Sequence, residues 1–425
     1  MANTEPTLGV SNDVPNPELP YQPYMDVKPP PKAGLSEANG APLTEREVEA
    51  VEKREREERE STPEPENFAI AFPENLPTPP FLHVEGVPNF RDLGGYACQP
   101  PCSTASTDTA DSASSQQPGT TTTHVLRKGL LYRCAHPTHL TAQGAEYLTQ
   151  TLGVHDMYDL RSQPEISRLA ATVASSGKAI YPLADPTTGC LDHVEGLTRH
   201  FTPVYQSEDY GPVALATKLA WYTAAHSHDE DAGFAYSEGF VKAYRDIALH
   251  GARPAYEKMF RQLLDRPGEP LVFHCTAGKD RTGVFAALVG KLVGVPEDMV
   301  CWEYALTEPG LGEWRAQFIE RICASGLGSG GGGGGKPSPG HQRTTISREE
   351  AARICGSRAG NMRAFLKVVL EKELGGVERY LVERCGLTKD EVARLRDSLI
   401  VRVDEGEVVN QCEIKGWTAE GGVQD

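Results

Sequence analysis

Cys275 and Arg281 are separated by five residues in the run His274-Cys275-Thr276-Ala277-Gly278-Lys279-Asp280-Arg281-Thr282-Gly283. A thiol and a guanidinium at this spacing can close a loop around one tetrahedral dianion. Arginine supplies a planar fork that meets two phosphate oxygens at once. Thiolate, the nucleophilic form of cysteine, is favoured where a helix N-terminus and cationic side chains converge. The chemistry this pattern points to is attack of Cys275 on phosphorus, with Thr276, Ala277, Gly278, Lys279, Asp280, Arg281 and Thr282 forming the phosphate cradle.

Other readings fit less well. A core cysteine needs neither two glycines nor a lysine, an arginine and a hydroxyl around it. The nucleotide-binding P-loop requires Gly-Lys followed by Ser or Thr, whereas Gly278-Lys279 is followed by Asp280. A sulfur carrier also uses a loop cysteine, but a fixed arginine six positions on favours phosphate.

The elements around the loop must position it. Leu271-Val272-Phe273 reads as a buried strand and Val284 to Val289 as the start of a buried helix. The order strand, Gly-containing turn, helix N-terminus aims backbone N–H groups and the positive helix end at an anion. Upstream, Leu130 to Arg133 is an expected strand, Leu140 to Leu152 an amphipathic helix and Val154 to Leu160 a strand. Phe240 to Leu264 has helical periodicity. Helices follow at Pro296 to Thr307, Asn361 to Leu374 and Val377 to Cys385. A last one, capped by Thr388-x-x-Glu391, runs to about Leu399. Strand–helix alternation indicates an α/β fold with a central, mainly parallel sheet flanked by helices and extra C-terminal helices. Ligands in such sheets lie beyond the carboxyl ends of strands, where Cys275 falls.

The 425 residues include 32 Pro and 42 Gly, unevenly spread, and 39% are hydrophobic. This points to one compact domain with irregular segments around it. Residues 1–80 read as a tail and linker, with an acidic helical stretch over Thr44 to Glu60. The domain spans 81–401, with insertions near 100–123 and 326–340; the second holds six consecutive glycines, Gly330 to Gly335. Residues 402–425 read as a C-terminal tail. The net charge of −17 argues against general binding to nucleic acid or anionic membranes. Lys279, Arg281 and the helix terminus supply the local positive potential an anionic substrate needs. The 10 cysteines lack disulfide-scaffold spacing. Cys98-Gln-Pro-Pro-Cys102 has no partner pair and reads as loop rather than a metal site. No signal peptide, myristoylation site or membrane span is expected, which places the chain in the reducing cytoplasm or nucleus. Neither metal nor other cofactor is expected.

Several segments together resemble the tyrosine/serine protein phosphatase family of cysteine-dependent enzymes. Asn89-Phe90-Arg91-Asp92-Leu93-Gly94-Gly95-Tyr96 is similar to that family's N-terminal element. Leu131-Tyr132-Arg133, Tyr158-Asp159-Leu160-Arg161-Ser162 and Glu303-Tyr304-Ala305-Leu306-Thr307 follow in the family's order, and Asn361 to Leu395 is similar to its closing helices. The resemblance implies a tyrosine-phosphatase-like fold. It also implies hydrolysis of phosphotyrosine or phosphoserine proteins through a thiophosphate intermediate. Phosphoinositides are the alternative substrate class, because Lys279 can contact a second phosphate. A catalytically silent phosphate-binding protein is the remaining alternative.

The proton donor is the open position. Many tyrosine phosphatases place an aspartate on a Trp-Pro-Asp loop, and this chain has no such tripeptide. Asp280 in the loop and Asp159 at a strand end are equal candidates, with Asp209 behind them. The competing role for each is an ion pair to Arg281 or Arg161. Arg91 and Asp92 are expected to brace the fold, His274 to hold the loop rather than act as base, and Trp302 and Trp314 to lie in the core. Thr282 is placed to hydrogen-bond the leaving thiolate.

Overall fold

A computed structural model describes residues 72–101, 122–167, 170, 183–185, 188–206, 221, 227–229, 234–324 and 346–423. The expected helix at Thr44 to Glu60, the glycine run and Asp209 lie outside the described residues.

A five-stranded sheet carries the site. The strands run, in chain order, β1 (Arg91–Asp92), β2 (Thr122–Leu126), β3 (Leu131–Cys134), β4 (Asp156–Asp159), β5 (Thr198–Phe201), β6 (Ser227–Asp229), β7 (Phe234–Tyr236) and β8 (Leu271–His274), and the sheet has the spatial order β1-β3-β8-β4-β5. Strands β3, β8, β4 and β5 are parallel, and β1 closes the β3 edge antiparallel. The expected strands at Leu130 to Arg133 and Val154 to Leu160 correspond to β3 and β4.

β8 is central and buried along its whole length, as a parallel strand with helices on both faces must be. Side chains alternate across it. Leu271 and Phe273 join the cluster with Leu131, Tyr158, Phe285 and Met362; Val272 joins Tyr132, Met157 and Leu148 on the opposite face. The first face is covered by helices Glu238–Gly251, Glu257–Asp265, Asp280–Val293 and the C-terminal helices. The helix Asp280–Val293 follows the turn after Cys275 directly and ends at Gly294, whose φ of 78° provides a left-handed cap. The expected Thr388–Glu391 cap is present as a reciprocal capping box.

The segment from 402 onward was expected as a tail, yet it contributes structure. Ile400–Asp404 (β9) pairs antiparallel with Thr122–Leu126 (β2), across the expected boundary, and Trp417 is buried. The alternation in Ile400-Val-Arg-Val-Asp404 was the available signal. Trp302 and Trp314 are core residues. Among the described residues, no helix is long and apolar enough to cross a membrane.

Candidate active site

The chain turns sharply at the carboxyl end of β8, and Cys275, 2% exposed, begins the turn. Gly278 has a φ of 66°, and a Cβ there would stand 2.2 Å from the carbonyl oxygen of Cys134. Glycine is required twice over, by the left-handed backbone and by the contact with β3.

Four consecutive loop carbonyls are tied outward. The Cys275 carbonyl accepts from His274 Nδ1 at 3.1 Å, and the Thr276 carbonyl from the His136 backbone N–H at 3.0 Å. Asn89 Nδ2 donates to the Ala277 carbonyl at 3.1 Å, and Arg133 Nη2 to the Gly278 carbonyl at 2.7 Å. In a trans peptide the C=O and N–H point in opposite directions. Fixing these carbonyls outside therefore directs the N–H groups of Thr276 through Lys279 toward the loop's interior. The helix Asp280–Val293 adds its positive end.

The donors that hold the carbonyls are themselves anchored. Glu303, buried, accepts from Arg91 Nε at 2.7 Å and Arg133 Nη1 at 2.6 Å; both arginines are fully buried. Burial opposes ionisation of Glu303, but Arg133 and Arg91 outweigh it and hold its pKa below the usual carboxylate range. Burial and the like charge of Arg91 lower the Arg133 pKa to about 10, which leaves it cationic at neutral pH. Arg91 also donates to the Thr307 hydroxyl and to the side chain of Asn89, whose φ of 58° aims it at the loop. Asp92 accepts from the backbone N–H groups of Gly94 and Gly129, each at 2.7 Å. Arg91 and Asp92 are thus braces. Sequence reasoning found the segments that hold Asn89, Arg133 and Glu303 without assigning them this joint role.

The remaining site residues occupy distinct surroundings. Asp159 is fully buried and accepts from Arg161 Nε and Nη2 at 2.9 and 2.7 Å and from Arg199 Nε at 3.1 Å. Burial opposes its ionisation, but Arg161, His274 and Arg199 drive its pKa far below the usual range. Asp280 opens the helix, with Oδ1 3.5 Å from Lys279 Nζ. The Lys279 ammonium hydrogen-bonds the carbonyls of Ile354 and Gly356, at the C-terminal end of helix Arg348–Cys355, and lies 4.8 Å from the Phe240 ring centroid. The buried Thr282 hydroxyl makes no hydrogen bond among the described residues. His274 has its pKa lowered to about 4, chiefly by burial, so it is neutral at physiological pH. Its Nδ1 faces a carbonyl and must carry the proton.

Arg281 meets a residue that sequence reasoning missed. Its Nη1 and Nη2 donate to the two carboxylate oxygens of Glu165, at 2.5 and 2.7 Å. The signal was a capping box, Ser162-x-x-Glu165, directly after β4.

A model of the tyrosine phosphatase family matches residues 82–401. A tyrosine-protein phosphatase of Nostoc commune is 30% identical over 161 residues, 38% of this chain and 49% of that protein. The triple specificity protein phosphatase PtpB of Mycobacterium tuberculosis is 27% identical over 202 residues, 47% of this chain and 69% of that protein. A putative tyrosine-protein phosphatase of Cupriavidus necator is 26% identical, over 62% of its length. The chain thus spans about half the length of the Nostoc relative. With the family model covering most of the molecule and all the loop-bracing segments, the chain belongs to the tyrosine phosphatase family.

Proposed function

We propose that this protein is a cysteine-dependent protein phosphatase that hydrolyses phosphomonoesters on tyrosine and serine side chains, without a metal ion. The observation that carries the reading is the loop itself: Cys275 at its start, carbonyls tied outward and Arg281 at the beginning of the helix. Cys275 Sγ attacks phosphorus, the S–P bond forms as the ester P–O bond breaks, and the leaving oxygen takes a proton. Water then attacks the thiophosphate, releasing phosphate and the thiolate. The loop N–H groups and Arg281 stabilise charge spreading over the equatorial oxygens. The Thr282 hydroxyl supports the departing thiolate.

Asp280 is the proton donor in this reading. A donor must hold a proton, and Asp159 is kept ionised between two arginines. Asp159 instead fixes Arg161.

The phosphoinositide alternative rests on Lys279 reaching a second phosphate. Its ammonium is buried and bound to the Ile354 and Gly356 carbonyls, which favours protein substrates. The name of the mycobacterial relative supports a specificity wider than tyrosine.

The test is turnover of an aryl phosphate in reducing buffer with a chelator, followed by a panel of phosphopeptides and phosphoinositides. Turnover with preference for phosphopeptides is expected. Absence of turnover together with retained phosphate binding would establish the silent binding protein instead.

A further inference from the structure

We propose that Glu165 is a positioning residue that fixes the plane of Arg281, and that it raises turnover at the expense of substrate affinity. The proposal rests on the phosphatase reading above and extends it to a residue outside the phosphate loop.

Five donors converge on the Glu165 carboxylate. Oε2 accepts from the Ser162 backbone N–H at 2.9 Å, the Ser162 hydroxyl at 3.0 Å and Arg281 Nη1 at 2.5 Å. Oε1 accepts from the Thr276 hydroxyl at 3.1 Å and Arg281 Nη2 at 2.7 Å. The carboxylate is thus held from its own segment by Ser162 and delivered to both ends of the loop, next to Cys275 and at Arg281. Ser162 is fixed in turn, since Arg161 beside it is clamped by Asp159. A bidentate carboxylate–guanidinium pair fixes the plane of the fork as well as its position.

The same carboxylate puts a negative charge beside the seat of a dianionic phosphate. Like charge weakens ground-state binding. Orientation of Arg281 matters most where charge develops, in the transition state. The two effects of Glu165 therefore have opposite signs, on KM and on kcat.

A bland role is available: Glu165 completes the capping box that starts the helical turn at 163–167. Glutamine completes such a box equally well. Glu165→Gln therefore keeps the cap while removing the charge that grips Arg281.

The experiment compares wild type and Glu165→Gln on an aryl phosphate, with melting temperature measured on both. The expected result is kcat lower by roughly 10- to 100-fold, as small misplacements of a positioned group cost. KM is unchanged or lower, and the melting temperature stays close to wild type. A kcat within about twofold of wild type, or a raised KM with kcat retained, overturns the proposal. Should Glu165→Gln melt early, Ser162→Ala keeps the charge and loosens its hold. It is expected to lower kcat by less without raising KM, and an unchanged kcat there also overturns it. An inactive wild type would instead sink the phosphatase reading itself, which no Glu165 variant could do.

Discussion

Asp159 and Asp280 illustrate how one residue type takes different work from its surroundings. Asp159 is held by three guanidinium hydrogen bonds with no exposed surface, so its proton is absent throughout the physiological range. Asp280 lies at a helix start, and its Oδ1 faces the Lys279 ammonium at 3.5 Å without accepting a hydrogen bond among the described residues. Asp280→Asn is expected to lower kcat roughly 100-fold on alkyl phosphates, with a smaller loss on activated aryl phosphates that need no proton. It should also remove the basic limb of the pH–rate profile. Asp159→Asn should keep that limb and lower stability instead. The reverse pattern would exchange the two roles. Cys275→Ser is expected to abolish turnover with the melting temperature retained, and residual turnover would refute the nucleophile. At this scale the sequence was informative wherever the chemistry was local: Cys275, Arg281 and Gly278 sit in one run. Glu165 was hidden because its partner is 116 residues away.

Among elements, the loop from Cys275 to Arg281 is held by segments that share no sequence neighbourhood. Asn89 and Arg91 come from the β1 edge, Arg133 from β3 and Glu303 from the helix Glu297–Ala305. The motifs containing them were legible as family-like strings. Their joint meaning, that they tie carbonyls outward, arises only where the tertiary fold brings them together. Lys279 shows the limit most clearly. A lysine inside a phosphate loop reads as a phosphate contact, yet its ammonium joins the loop to the helix Arg348–Cys355. The buried arginine–glutamate–arginine triad gives the sharper test. Glu303→Gln leaves two buried guanidinium groups without a counter-charge, and breaking such a triad costs about 3–5 kcal/mol. Denaturant unfolding should show a loss of that size, and turnover should fall with it as Arg133 releases the Gly278 carbonyl. A loss under about 1 kcal/mol would mean that the triad does not hold the loop.

Across the whole molecule, the parallel sheet and its helices were legible because strands buried on both faces leave continuous apolar runs such as Leu271-Val-Phe273. Short edges were not: β1 has two residues, and β5, Thr198–Phe201, is polar and only partly buried. Global stability, however, depends on a residue at the heart of this sheet. His274 is 1% exposed and neutral, with burial lowering its pKa from the usual 6.5 to about 4. In the unfolded chain the imidazole takes a proton below about pH 6.5, whereas the folded protein refuses it until about pH 4. The unfolded state therefore binds more protons in this window, and stability falls as the pH falls through it. A difference of this size is worth about 3 kcal/mol. Asp159 and Glu303 have lowered pKa values and act in the same direction, beginning where unfolded carboxylates take up protons and continuing below it. Above the carboxylate range, from pH 6.5 down to about 5, His274 alone among these three groups binds protons differently in the two states. Urea unfolding at pH 6.5, 5.5 and 4.5 should show the wild type losing stability across the series. His274→Asn keeps a donor for the Cys275 carbonyl but cannot titrate, so its unfolding free energy should change less over the same range. Parallel curves for the two proteins would show that His274 enters the unfolding transition already protonated.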